Sequence, residues 1–130
     1  MSILVAYDGK EHTRKALEYA ARHAYAYTTR LYIFSAIVSN DKLDSDVETE
    51  EVSKYLEEAV RIAEGYGVHA ESVMGSGTPW KGILEAAERF DCDTIVVGRA
   101  VNKSSFDRAV LGSVSDAVVR NAKCVVIVVQ

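Results

Sequence analysis

A chain of 130 residues is long enough for one domain with a substantial core and too short for two ordinary ones. Apolar residues make up 48% of it and charged residues 26%, the balance of an ordinary globular protein, which excludes a wholly disordered chain. The formal net charge of −4 lacks the basic excess with which nucleic-acid binders neutralise phosphate, so nucleic acid is not an expected partner.

The longest apolar runs, such as Val125 to Val129, are far shorter than the roughly 20 residues that span a bilayer. Met1-Ser2 leads directly into Ile3-Leu4-Val5-Ala6, with no basic stretch and no small-residue cleavage signal. A cytoplasmic protein with no membrane partner is the expectation.

In chain order, the first predicted strand is Ile3–Tyr7, followed by a helix in which Ala16, Leu17, Ala20, Ala24 and Tyr27 share one face. Leu31–Ile37 reads as the second strand. The acidic stretch Asp41 to Glu51 reads as a solvated loop and helix start rather than a metal site. Ser45 and Glu48 stand there at capping-box spacing, ahead of a helix whose inner face is Val52, Tyr55, Leu56, Ala59, Ala63 and Tyr66. Val68–Met74 is the third strand. Thr78-Pro79 then supplies an N-cap and a proline at the first helical position, opening a helix that buries Ile83, Leu84, Ala87 and Phe90.

Thr94–Gly98 is the fourth strand. After a long connection, a fourth helix runs from about Ser113 to Asn121 and buries Val114, Ala117 and Val118, and the last strand is Val125–Val129. The strands are nearly continuous in Val and Ile, as parallel strands covered on both faces are. Strict alternation with helices implies βαβ units with right-handed crossovers. No internal repeat is present. Cys92 and Cys124 have no Cys-x-x-Cys partner and no His at ligand spacing. They are expected to be reduced thiols, with Cys124 buried at a strand start and a disulfide the less favoured alternative.

Open parallel sheets bind ligands at the carboxyl ends of their strands, where strand order reverses. Tyr7-Asp8-Gly9-Lys10 follows the first strand. Its Asp8 can hydrogen-bond a ligand hydroxyl or amine while glycine permits the tight turn, or it can serve only to cap the next helix. The connection from Gly98 to Ser113 is long for its kind, which marks a functional or mobile loop. It ends in Gly112-Ser113 at a helix start, where free N–H groups favour an anion, and Arg99, Lys103 and Arg108 add positive charge. These features fit a phosphate site. They equally fit a simple helix start with solvated basic side chains.

Val-Ala-Tyr-Asp-Gly at the start, Gly77-Thr78-Pro79 with Ile83-Leu84, Ile95-Val96-Val97-Gly98 and Leu111-Gly112-Ser113-Val114-Ser115-Asp116-Ala117-Val118 resemble the universal stress protein family, in order and over the full length. The resemblance implies a single domain over residues 1–130. Its fold would be α/β, a three-layer open five-stranded parallel sheet of order 3-2-1-4-5 with helices on both faces, which brings Asp8 beside the Gly98 loop. It further implies a stress-response role and adenine-nucleotide binding, with ATP, and Mg2+ alongside it, as the expected ligand. Asp8 would contact adenosine, Ala36 and Ile37 would flank the base, and Gly98, Arg99, Gly112, Ser113, Val114 and Ser115 would surround ribose and phosphates. The chain departs from the ATP-binding pattern at Val101, which replaces a glycine, and in a spacer to Gly112 that is one residue too long. Lys10 stands where the family commonly has Ser. A weakened nucleotide site and a degenerate one in a dimeric interaction module therefore both stand as readings.

Other functions of this layered class fit poorly. A signalling receiver needs an acidic pair after the first strand and an Asp ending the third, but the chain has one acid at the first place and Val73-Met74-Gly75 at the second. An FMN carrier needs a hydroxyl-rich loop where Asp8-Gly9-Lys10-Glu11 stands. Ser113 has no evident base, His12, His23 and His69 read as surface residues, and Trp80 and the tyrosines read as core or helix-face residues. No catalytic set is assembled, although slow ATP hydrolysis or autophosphorylation stays open. The last strand, without charge or proline, would form a sheet edge whose free backbone groups invite pairing. A homodimer through Val125–Val129 is the expected assembly.

Overall fold

The computed structural model describes residues 1–99 and 112–130. Among the described residues nine elements alternate: β1 (Ser2–Ala6), α1 (Glu11–Tyr27), β2 (Arg30–Ile37), α2 (Lys42–Gly65), β3 (Ala70–Ser76), α3 (Pro79–Arg89), β4 (Cys92–Gly98), α4 (Ser113–Asn121) and β5 (Val125–Val129). The strands form one parallel sheet of order β3-β2-β1-β4-β5, the order that the family resemblance implied.

Side chains of successive strand residues point to opposite faces, and the strands use both. Ile3, Val5 and Val96 pack with α1 and α2, whereas Leu4, Ile95 and Val97 pack with α3 and α4. The central strands therefore read as continuous apolar runs, because each of their faces is covered by a helical layer. Small residues let α1 lie close to the sheet, with Ala16, Ala20, Ala21 and Ala24 fully buried.

Several local expectations are corrected. Helix α2 begins earlier than the Ser45–Glu48 spacing implied. Asp41 caps it, its carboxylate accepting from Leu43 N at 2.8 Å and from Asp44 N at 3.4 Å, so most of the acidic stretch is helix. Tyr27 is 71% exposed and packs against His23 along α1, with ring centroids 4.6 Å apart and the planes tilted by 31°. Tyr66 is the exposed residue ending α2, and Tyr55 is half-buried. Strand β3 lies two residues later than its apolar run. Its register with β2, Leu31 opposite Ala70 to Ile37 opposite Ser76, outweighs hydrophobicity at a sheet edge. Pro79 opens α3, but the Thr78 side chain makes no capping bond, and Ala86 is buried where Leu84 and Phe90 are half-buried. In α4, Ser115 and Val118 are buried, whereas Val114 and Ala117 are half-buried. Cys124 is half-buried, immediately before β5.

One close approach sets the distance between layers. A Cβ built at Gly98 would lie 2.4 Å from the His12 carbonyl oxygen, so the end of β4 meets the first turn of α1 backbone to backbone. Gly98→Ala is expected to destabilise the fold by about 1–3 kcal/mol, the usual cost of overpacking. Urea unfolding followed by circular dichroism checks this, and an unchanged midpoint would refute the contact.

Candidate functional site

Strand order reverses at β1, whose neighbours β2 and β4 continue the chain in opposite directions across the sheet. Above the carboxyl ends of these three strands lies a cleft of about 510 Å³, the size range of small-molecule sites. Asp8 and Lys10 border it in the middle, Ala36, Glu48 and Tyr55 at the β2 side, and Gly98 with the start of α4 at the other.

The turn after β1 is built around Asp8. Gly9 takes φ +82°, a conformation that side-chain-bearing residues rarely adopt. Asp8 Oδ1 accepts from Lys10 N at 2.9 Å and from Thr13 Oγ1 at 2.7 Å, while Asp8 N donates to Thr13 Oγ1 at 3.2 Å. One carboxylate oxygen thus holds the entry to α1. The other, Oδ2, lies 3.9 Å from His12 Nε2 and accepts no hydrogen bond among the described residues. The two readings of Asp8 are compatible, because each can use a different oxygen.

At the β2 side, Ser35 Oγ and Tyr55 OH lie 2.7 Å apart, and Tyr55 meets Tyr7 edge-on with centroids 5.7 Å apart. Burial raises the pKa of both tyrosines, so each carries its proton at neutral pH. Phe34 lies beneath, its ring tip held against Gly75 and Gly82, where an added Cβ would come within 2.9 and 2.7 Å of it.

Glu48 is a cleft residue that sequence reasoning missed. Its Oε1 accepts from Val38 N at 3.0 Å and Ser39 N at 2.9 Å. The Ser39 backbone N–H, foremost, lowers its pKa below the ordinary carboxylate range. The available signal was periodicity: Glu48 precedes Val52 by four residues and Tyr55 by seven, on the stripe that α2 turns inward.

On the far side, Gly112 caps α4 and its carbonyl accepts the first helical bond, from Asp116 N at 2.8 Å. The N–H groups of Ser113, Val114 and Ser115 precede that bond and have no partner within the helix. The Ser115 hydroxyl donates to the Gly98 carbonyl at 2.9 Å, tying the helix start to the end of β4.

Of the predicted site residues, Asp8, Ala36, Gly98, Gly112, Ser113, Val114 and Ser115 border this one cleft. Ile37 does not, since its side chain is buried beneath α1 and α2. Arg99 lies beside the cleft, its N–H donating to the Val129 carbonyl at 2.8 Å. Val101, Lys103, Arg108 and the longer spacer fall outside the described residues. His12 borders the cleft, whereas His23 packs beside Tyr19 and Tyr27 and His69 lies near Glu71.

A doubly wound parallel sheet with one ligand-sized cleft over its switch point defines an α/β binding fold of the kind that takes small molecules at strand ends. The model of the universal stress protein family matches residues 1–130, and the chain belongs to that family. It is 31% identical to a universal stress protein of Methanocaldococcus jannaschii, over 98% of this chain and 81% of the other. Among solved structures, it is 25% identical, with TM-score 0.81, to a universal stress protein in complex with cAMP, covering 100% of this chain and 96% of that one. A universal stress protein of Archaeoglobus fulgidus in complex with dAMP is 26% identical, with TM-score 0.79, covering 100% and 98%.

Glu48 generates a pH prediction. Its pKa is lower folded than unfolded, so its contribution is complete above the unfolded value and is lost as pH falls through the folded one. Hydrogen exchange at the Val38 and Ser39 amides, corrected for intrinsic rates, should therefore accelerate as pH falls through the lowered Glu48 pKa, on the acid side of an ordinary glutamate. In Glu48→Gln the step should disappear, and a step that persisted would show that another group closes this junction.

Proposed function

We propose that residues 1–130 act as one cytoplasmic domain that binds an adenine nucleotide, with ATP as the expected ligand, in a stress-response role. The single observation that carries the reading is the joining of Asp8 and the α4 start in one cleft across the switch point. The cAMP and dAMP complexes of the two relatives support the choice of an adenine ligand.

In this reading the base lies at the β2 end beside Ala36, with Ile37 supporting that end from the core, and Asp8 Oδ2 accepts from a ribose hydroxyl. Gly112, where an added Cβ would meet no atom among the described residues, leaves room for the sugar and phosphates beside Gly98. The N–H groups of Ser113, Val114 and Ser115 offer donors to phosphate, reinforced by the positive end of the α4 dipole. Lys10 and Arg99 add positive charge at the margins. Magnesium would enter this site with the phosphates, whose charge it would neutralise; among the described residues no group of three or more metal-ligating side chains would hold it alone.

Titration calorimetry with millimolar ATP and magnesium tests the reading, and absence of heat would sink it. Asp8→Asn keeps an oxygen for Lys10 N while removing the anion that faces the cleft. It is expected to weaken binding about 10-fold or more, the usual loss for a hydrogen bond to a charged group.

The second part of the proposal is assembly. β5 is an edge strand of the sheet, Val125 is 60% exposed, and Val126 to Val129 are half-buried. Antiparallel pairing of two β5 strands about a two-fold axis would satisfy their free N–H and C=O groups with one self-complementary patch. This edge also favours the reading as a dimeric interaction module should nucleotide fail to bind. Light scattering is expected to give a dimer at micromolar concentration, and Ile127→Lys with Val129→Asp a folded monomer. A monomeric unmodified protein would refute the pairing.

A further inference from the structure

The two cysteines are 32 residues apart in sequence, yet the fold brings them to the same end of neighbouring strands. Cys92 is the first residue of β4, and Cys124 immediately precedes β5. The strands run parallel with Thr94 opposite Val125, so Cys92 and Cys124 start one residue out of step. An irregularity between Ser2 and Ile3, opposite Cys92 and Thr94, interrupts the side-chain alternation of β4. As a result both cysteines turn to the face covered by α3 and α4, where they belong to one apolar cluster. Ideal ladder spacing, about 4.8 Å between strands and about 3.3 Å per residue, puts two Cα atoms that are one step out of register on neighbouring strands roughly 6 Å apart. Disulfides require Cα separations of about 4.4–6.8 Å.

We propose that Cys92 and Cys124 form a dithiol pair that small-molecule disulfides, of which oxidised glutathione is representative, convert to an intramolecular disulfide joining β4 to the edge strand β5. Cys124, the more exposed of the two, reacts first. Its thiolate attacks one sulfur of the oxidant, forms a mixed disulfide and expels one thiolate. Cys92 then loses its proton, its sulfur attacks Cys124 Sγ, and the second thiolate leaves. Two protein thiols give up two protons and two electrons, and the oxidant takes them up as two free thiols.

The surroundings set both the rate and the equilibrium. Burial, foremost, pushes the Cys92 thiol up to about 11, and the neighbouring Cys124 contributes in the same direction. Burial also raises the pKa of Cys124. Few thiolates are present at neutral pH, so oxidation is slow. The same environment denies the reduced form the thiolate stabilisation that makes a disulfide strongly oxidising, so the bond, once formed, resists reduction.

The test uses the whole unmodified chain, incubated to equilibrium with excess oxidised glutathione at about pH 8.5, the ordinary thiol pKa, then denatured and alkylated. The expected product has lost two hydrogens, takes up no alkylating reagent, and gives a proteolytic peptide linking Cys92 to Cys124. Its melting temperature should rise by several degrees over the reduced protein, because the bond closes a loop of about 30 residues in the unfolded chain. In Cys92→Ala the glutathione adduct on Cys124 should persist, whereas in the unmodified protein it should be transient. Two alkylatable thiols at equilibrium, a stable adduct on Cys124 with Cys92 still free, or cross-links only between chains would each overturn the proposal.

Discussion

The backbone contact between Gly98 and His12 is the constraint on which the cleft depends. Because residue 98 has no side chain, the end of β4 can lie directly beneath the first turn of α1. That position leaves the Gly98 carbonyl within 2.9 Å of the Ser115 hydroxyl, which anchors α4. Thr13, in the same first turn of α1, holds Asp8. A side chain at residue 98 would push apart the two backbone segments from which the walls of the cleft are built.

The cleft is electrically asymmetric. Its β2 side carries Glu48, kept anionic by the Val38 and Ser39 N–H groups, and its middle carries Asp8. Its far side offers the uncapped N–H groups of α4 and the positive end of a helix dipole. Under the proposed reading, an elongated ligand with one anionic end would lie with its negative end over α4. Glu48 contributes by repulsion as well as by closing the β2–α2 junction. Of the acidic stretch between β2 and the body of α2, Glu48 borders the cleft.

Much of the architecture was legible in the sequence because it follows from local periodicity. Apolar strand runs separated by helical stripes dictate a parallel sheet with two helical layers, and Asp8-Gly9 and Gly112-Ser113 carry their turn and cap chemistry in their own residue types. The errors arose where a tertiary partner outweighs local preference. β3 follows the register of β2 instead of its own apolar run, α2 starts at Asp41 because that carboxylate reaches two backbone N–H groups, and Tyr27 finds its aromatic neighbour on the outside of α1.

The sequence by itself determined the fold class, the family and seven of the residues that border the cleft, since these rest on residue type, spacing and the resemblance they carry. Only the tertiary structure decided how the residues combine. It showed that Gly98 is glycine because a helix backbone lies against it, and that Asp8 holds a turn with one oxygen while the other accepts no hydrogen bond among the described residues. It withdrew Ile37 into the core and introduced Glu48 to the cleft. It also brought Cys92 and Cys124 into one cluster, a proximity that depends on strand register and a local irregularity, which arise only when separate strands pair.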